Sequence, residues 1–576
     1  MRYLLLFSLS LLSLLACRHH RSSEESPSEA GAAFDWWMMA RTYPDGRFYT
    51  ERYAEALAQM RLESQLRGGG PVWESIGPHN IGGRTLCLAV SPQDTNVIWA
   101  GSASGGIWRS STAGRGAKAW ERIETGFPVL GVGALAIDPK NPQVVYAGTG
   151  EVYNLENSMP NVVIRTTRGT YGIGILKTTD GGTTWHKSLD WAYGDLRGVQ
   201  DIQINPLRSA TVYAATTEGL LRSYDAGKTW TNVHPHKMAV DIALHPSDTN
   251  RIFVTHGSLD DNSASGIYRS SDGGHSFTQL GGGLPESYSG KTLLSICTTQ
   301  PQIMYASVGN AFSQEGLYRS SDGGTTWTKA SGQNVCTYQG WYSHDVSVHP
   351  SIPTQISWVG IDAWTSSNSA STVTQRSYWY KWYSGYLPAG SREGPDDYMH
   401  ADIHQICRTP GAPDKIYYAT DGGIFVSYDG GKTFAGRNGG YQTQQFYANL
   451  GSSSLSPQLC IGGMQDNSTA IYSGDLSWKR VLGGDGECAA IMPGNDQVMF
   501  GSSQYLNMYR SDDGGESFLS ISPPEAFDED AAFNGPFEIS PADPKALYAG
   551  AGSLFFSDDQ GNTWSNMSAG PVSPGH

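Results

Sequence analysis

Ser320-Ser321-Asp322-Gly323-Gly324-Thr325-Thr326-Trp327 is the stretch whose reading decides the fold. It returns as Thr178-Thr179-Asp180-Gly181-Gly182-Thr183-Thr184-Trp185 and as Ser223-Tyr224-Asp225-Ala226-Gly227-Lys228-Thr229-Trp230. Further copies centre on Asp272, Asp429, Asp513 and Asp559 and close with Phe277, Phe434, Phe518 and Trp564. Each position has a task in a β-hairpin. The Asp carboxylate accepts backbone N–H bonds across the turn, and the glycine two places on supplies a positive φ. The aromatic opens the next strand and fills space between sheets. Asp180, Asp225, Asp272 and Asp322 stand 45, 47 and 50 residues apart. The intervals from Asp322 to Asp429 (107) and from Asp429 to Asp513 (84) each have room for one eroded unit, with Tyr378-Trp379-Tyr380 and Leu476-Ser477-Trp478 at their ends. Another eroded unit runs from Gly106-Ile107-Trp108 to Trp120. A period near 45 residues, with about four short strands per unit, marks a β-propeller. The spacing therefore predicts an all-β chain: one large propeller of about ten four-stranded blades over 71–576.

The repeat resembles the Asp-box (BNR) repeat, and ten copies in one run resemble the bacterial sortilin-like ten-bladed propellers. Val72-Trp73-Glu74-Ser75-Ile76-Gly77-Pro78-His79-Asn80-Ile81-Gly82-Gly83-Arg84, Gly463-Met464-Gln465-Asp466-Asn467 and Gly483-Gly484-Asp485-Gly486 look like stretches of that family. The resemblance covers about residues 71–570 and speaks to fold more than to activity, since Asp boxes also occur in sialidases, xyloglucanases and non-enzymatic binding proteins. The xyloglucanase-type pattern carries a catalytic Asp two places before the Gly-Gly of an early blade. Here Ser102-Ala103-Ser104-Gly105-Gly106 puts Ala103 in that place. The sialidase type needs an arginine triad. Arg84, Arg165 and Arg168 exist, but no Arg-Ile-Pro stretch marks them as one.

Net charge is −15, which argues against nucleic acid as a partner. Met1-Arg2 and the apolar run Leu4 to Ala16 read as a secretory signal over 1–16. Leu14-Leu15-Ala16-Cys17 resembles a bacterial lipobox, which implies a lipid on Cys17, membrane attachment through it, and an outer-membrane address. Residues 17–33 read as a flexible tether. Within the helical segment 34–70, Phe48 to Leu66 is free of Pro and Gly and has helical spacing. Cys87, Cys297, Cys336, Cys407, Cys460 and Cys488 remain for disulfides or buried thiols; no CxxC pair supports a metal or redox motif.

Two inserts stand out, 151–172 and the aromatic 362–399 with Trp379 and Trp382. Long inserts are where propellers carry binding function. In His400-Ala401-Asp402-Ile403-His404, alternation on a strand places His400, Asp402 and His404 on one face. Alignment with Asp201, Asp241 and Asp345 at the entry of other first strands argues instead that Asp402 bonds backbone or lines the channel. Asp421, Gln465-Asp466-Asn467, Asp485 and Glu487 fall on inner strands or the turns after them in neighbouring blades. Their loops converge on one channel mouth, where Asp421, Asp466 and Asp485 are the candidate catalytic carboxylates. The expected function is a non-enzymatic, lipid-anchored envelope protein that captures a peptide or protein at that mouth, without cofactor or metal. The alternative is a sialidase- or xyloglucanase-like glycoside hydrolase with a carboxylate pair acting on a carbohydrate ligand.

Overall fold

The computed structural model describes residues 73–567, apart from 129–130, 154–170, 192–196, 258–263, 448 and 528–530, and scattered positions between 39 and 63. The leader, Cys17, the tether and most of the insert 151–172 lie outside the described residues. Of the expected helix, Arg52, Glu55, Ala56, Gln59, Met60, Leu62 and Glu63 are described and are helical.

From residue 85 onward the described residues form ten antiparallel sheets of four strands, each built from consecutive strands. The second strands, such as Ile98–Ser102, Val145–Thr149 and Val212–Thr216, are buried along their whole length. A sheet sandwiched between two others hides both faces, so these strands read as continuous small and apolar runs. The all-β class and the ten four-stranded sheets agree with the repeat.

The circle closes after the seventh sheet. The first strands Thr85–Val90, Val132–Ile137, Val199–Ile204, Ala239–Leu244, Thr292–Ile296, Asp345–Val348 and Ile403–Thr409 each pack on the next, and the last packs back on the first. Leu88, Ile98, Ala100 and Trp108 of the first sheet share a core with Tyr417, Ala419, Ile424 and Val426 of the seventh. A cavity of about 260 Å3 lies at the centre of this ring and is lined from all seven sheets. The eighth to tenth sheets, with inner strands Gly451–Ser452, Ala489–Ile491 and Phe537–Ile539, stack on one another through cores of their own.

Polar side chains latch one inner strand to the next. Asp201 accepts the Ile242 N–H (3.1 Å), Asp241 that of Leu294 (2.6 Å), Asp345 that of Ile406 (2.7 Å) and Gln405 that of Leu88 (2.6 Å). The slot aligned with Asp201 is therefore filled by Gln405, not Asp402. Burial raises the Asp201 and Asp345 carboxyls to about 6 and about 7, against the pull of these N–H bonds.

The seven Asp-box hairpins share one bond set. In the box at Asp322, Ser320 Oγ donates to Oδ1 (2.9 Å), the Thr326 N–H donates to Oδ1 (2.9 Å), and Thr326 Oγ1 donates to Oδ2 (2.7 Å). Those bonds, led by the Thr326 N–H, lower the Asp322 carboxyl to about 2. Gly182 and Gly324 adopt φ of +95° and +83°, and a Cβ there would meet Trp99 at 2.6 Å and Phe253 at 3.1 Å in the preceding sheet. The turn thus sets sheet-to-sheet packing as well as its own geometry.

The sixth sheet uses an eroded box in which Asn368 replaces Asp and takes the Thr372 N–H at 3.0 Å. That sheet ends at Gln375, and Trp379–Lys381, taken from the sequence as the end of the eroded unit, is a short 3-10 helix after the sheet. All six cysteines from Cys87 to Cys488 are free thiols.

Candidate functional site

The third strand of each sheet runs antiparallel to the second, so the turns between them lie at the opposite end from the Asp boxes. At that end, residues of the sixth, seventh and eighth sheets meet. Asp421, in the turn after the strand ending at Thr420, has no exposed surface. Its Oδ1 lies 2.7 Å from His404 Nε2, and its Oδ2 accepts the Tyr342 hydroxyl at 2.7 Å. Both oxygens are held. Burial lowers the pKa of His404, and Asp421 opposes that shift.

Asp466 sits in the turn after Cys460–Gly463 with φ +58°, and Asp402 precedes its inner strand with φ +61°. Non-glycine residues adopt this region rarely, and strain of this kind gathers at functional sites. The turn of Asp466 is fixed from several directions. Its N–H donates to Asp485 Oδ1 (3.1 Å), whose Oδ2 accepts the Tyr447 hydroxyl (3.0 Å). His400 Nε2 lies 2.8 Å from the Asp466 carbonyl oxygen. Asn467 Nδ2 donates to the Asp421 carbonyl (2.9 Å), and Gln465 Oε1 accepts from Arg84 (3.1 Å). Arg84 is in turn ion-paired with Glu151 at 3.1 Å, both buried, and the Tyr153 hydroxyl donates to Glu151 (2.9 Å).

Asp402, Asp421 and Asp466 each bring a carboxylate oxygen within 4.8 Å of the others. Asp421 is the buried member, whereas Asp402 and Asp466 are half-buried. Carboxylates this close are the arrangement behind paired acid and base groups. The same oxygens are also the donor set of a hard cation.

His400, Asp402 and His404 do not share one face. Asp402 takes a left-handed backbone, the strand begins at Ile403, and the register shifts between Ile403 and Gln405, which breaks the alternation. Asp485 supports Asp466 from behind. Glu487 has no exposed surface, and burial first, then Asp485, raises its carboxyl to about 8. Trp379 is exposed on the short helix, while Trp382 is half-buried and packs beside Arg480. Ala103 is buried, its N–H donating to the Arg84 carbonyl at 3.0 Å. The sequence reading missed Tyr342, Tyr447 and Glu151 as supports. Glu151 was visible only as the first residue of an insert, and the two tyrosines carry no motif.

A closed ring of seven four-stranded sheets followed by three more, with Asp-box turns in seven of the ten, defines an Asp-box β-propeller. The chain is a sortilin-like propeller: the sortilin (Vps10) model, described as sortilin, neurotensin receptor 3, matches residues 218–356. A xyloglucanase of Hypocrea jecorina is 30% identical over 187 residues, and xyloglucanase Xgh74A of Acetivibrio thermocellus is 26% identical over 200. Each match takes in 31% of this chain and 21% of the relative, so the chain spans about a fifth of the curated relatives' length. Among solved structures, an ancestral GH74 enzyme has a TM-score of 0.42 at 13% identity, over 86% of this chain and 78% of that one. PorZ, a surface component of the type-IX secretion system of Porphyromonas gingivalis, has a TM-score of 0.45 at 12% identity, over 85% of this chain and 59% of that one. The two xyloglucanase matches overturn the expectation of a non-enzymatic binding or assembly protein. They favour its alternative, a glycoside hydrolase.

Proposed function

We propose that the chain is a glycoside hydrolase that cleaves a β-linked glucan of the xyloglucan class, with Asp402 and Asp466 as the working carboxylates. The observation that carries this is the convergence of Asp402, Asp421 and Asp466 within 4.8 Å, from two sheets, at a mouth where both half-buried members have left-handed backbones. The curated xyloglucanases lend the substrate class. Ala103 cannot serve as acid or base, so Asp402 is the carboxylate placed to work opposite Asp466. Asp421, held by His404 and Tyr342, keeps the mouth in shape. An exported address, read from 1–17, belongs to the same proposal because such a substrate is extracellular.

The test is release of reducing ends from xyloglucan by the purified protein. Asp402→Asn and Asp466→Asn should each slow it by roughly a hundred- to ten-thousand-fold, the range for a lost acid or base, with the melting temperature kept. Absence of turnover on any β-glucan, or unimpaired turnover in both variants, would retire the proposal.

A further inference from the structure

A row of aromatic rings leads away from the mouth across the three-sheet stack. Its first ring is Tyr447, whose hydroxyl is bonded to the Asp485 that fixes Asp466. The Tyr447 and Phe533 ring centres lie 6.3 Å apart at 70°, and Phe533 and Tyr505 lie 5.5 Å apart at 82°. The Tyr505 N–H donates to the Phe533 carbonyl at 2.9 Å, which ties the outer two rings together. Phe533 is 39% exposed and Tyr505 58%.

The turn that carries Tyr505 joins the strands Met499–Ser503 and Asn507–Ser511. Tyr505 and Leu506, the last two of the three residues in this turn, have φ of +61° and +59°, a left-handed region that residues other than Gly, Asn and Asp adopt rarely. Leu506 has a packing reason for being there: it is buried in the core between the ninth and tenth sheets. Tyr505 has none of that kind. A bulky residue in a left-handed turn with its ring in solvent points to use rather than packing. Flat rings bind the C–H faces of equatorially substituted hexoses while leaving the hydroxyls in water, as amphipathic aromatics do at other wet contacts.

We infer that Tyr447, Phe533 and Tyr505 form a stacking path for the backbone of an extended β-linked glucan, holding the chain on one side of the bond to be cut. This rests on the hydrolase reading and adds a substrate requirement to it: a polymer should bind better than a short fragment.

Calorimetric titration in an Asp466→Asn background, where turnover is removed, tests the path with xyloglucan polymer and a single-repeat oligosaccharide as probes. Tyr505→Asn suits the left-handed backbone and removes the ring, so it serves as the variant least disturbing to the fold. Combined with Phe533→Ala, it should weaken polymer binding about tenfold, the scale of one or two lost ring contacts. The single repeat should bind almost as before, and Tyr505→Trp should keep polymer affinity. Polymer affinity unchanged in the double variant would overturn the path alone and leave the hydrolase reading standing. A parent protein that binds neither probe and releases no reducing ends would overturn both.

Discussion

The two ends of the sheets hold the same side chain in opposite circumstances. At one end, seven aspartates lie at exposed hairpins, and each spends its oxygens on its own turn, as Asp180, Asp225 and Asp322 do. At the other end, Asp402, Asp421 and Asp466 come from different turns, two with left-handed backbones, and crowd within 4.8 Å. A carboxylate satisfied by its own hairpin is a structural part, however often it recurs. Carboxylates gathered against one another by residues distant in the chain belong to a shared site, not to a single turn. Repetition and chemistry point to different residues here.

The comparison can be broken by substitution. The largest stability effect is expected at Asp421→Ala, which strips both the His404 and the Tyr342 contacts from a buried site. Roughly 3–5 kcal/mol should be lost, the usual cost of removing one partner of a buried pair, and denaturant unfolding reads it. A loss below about 1 kcal/mol, the scale of an ordinary exposed contact, would mean the mouth is not built around Asp421.

A smaller, pH-dependent effect is expected at Glu487. Its folded pKa, about 8, is above the ordinary carboxylate value. The folded state therefore holds the extra proton, and stability falls as pH climbs from the ordinary carboxylate range through about 8. Glu487→Gln, which resembles the neutral acid, should match the parent near pH 5 and exceed it at pH 8.5 in thermal melting. Identical curves at both pH values would remove Glu487 from the buried acids.

The Asp boxes run the other way. Their carboxyls are lowered, to about 2 at Asp180 and Asp322, by bonds within the hairpin. The stability they contribute is complete above the ordinary carboxylate range and is lost as pH falls towards about 2. Because the groups are exposed, each one should count for little, and only variants with several boxes removed should show the change in acid melting.

The ring count shows how far the sequence could be read. Strict boxes were legible because every participant lies within eight residues, and even the Asn368 box left its spacing. Closure was not legible. The contacts that make it, such as Leu88 to Gln405 or Trp120 Nε1 to the Arg437 carbonyl, join residues 317 apart, about seven repeats along the chain, and nothing within a repeat says after how many repeats the ring shuts. At the mouth, Asp421, Asp466 and Asp485 stood out from their Gly-rich and Gln-Asp-Asn settings. The Asp402 backbone could not be foreseen, because the alternation argument assumes a regular strand and a positive φ cancels it. Tyr342 and Tyr447 are single tyrosines among 30, and only folding brings them to Asp421 and Asp485.

The most direct measurement sets one aspartate from each end side by side. Asp322→Asn and Asp466→Asn would be compared for melting temperature and for kcat/KM on xyloglucan. The account predicts a split result: Asp322→Asn keeps normal turnover with at most a small drop in melting temperature, while Asp466→Asn melts normally and loses turnover by at least about a hundredfold. Turnover lost in Asp322→Asn and kept in Asp466→Asn would contradict it.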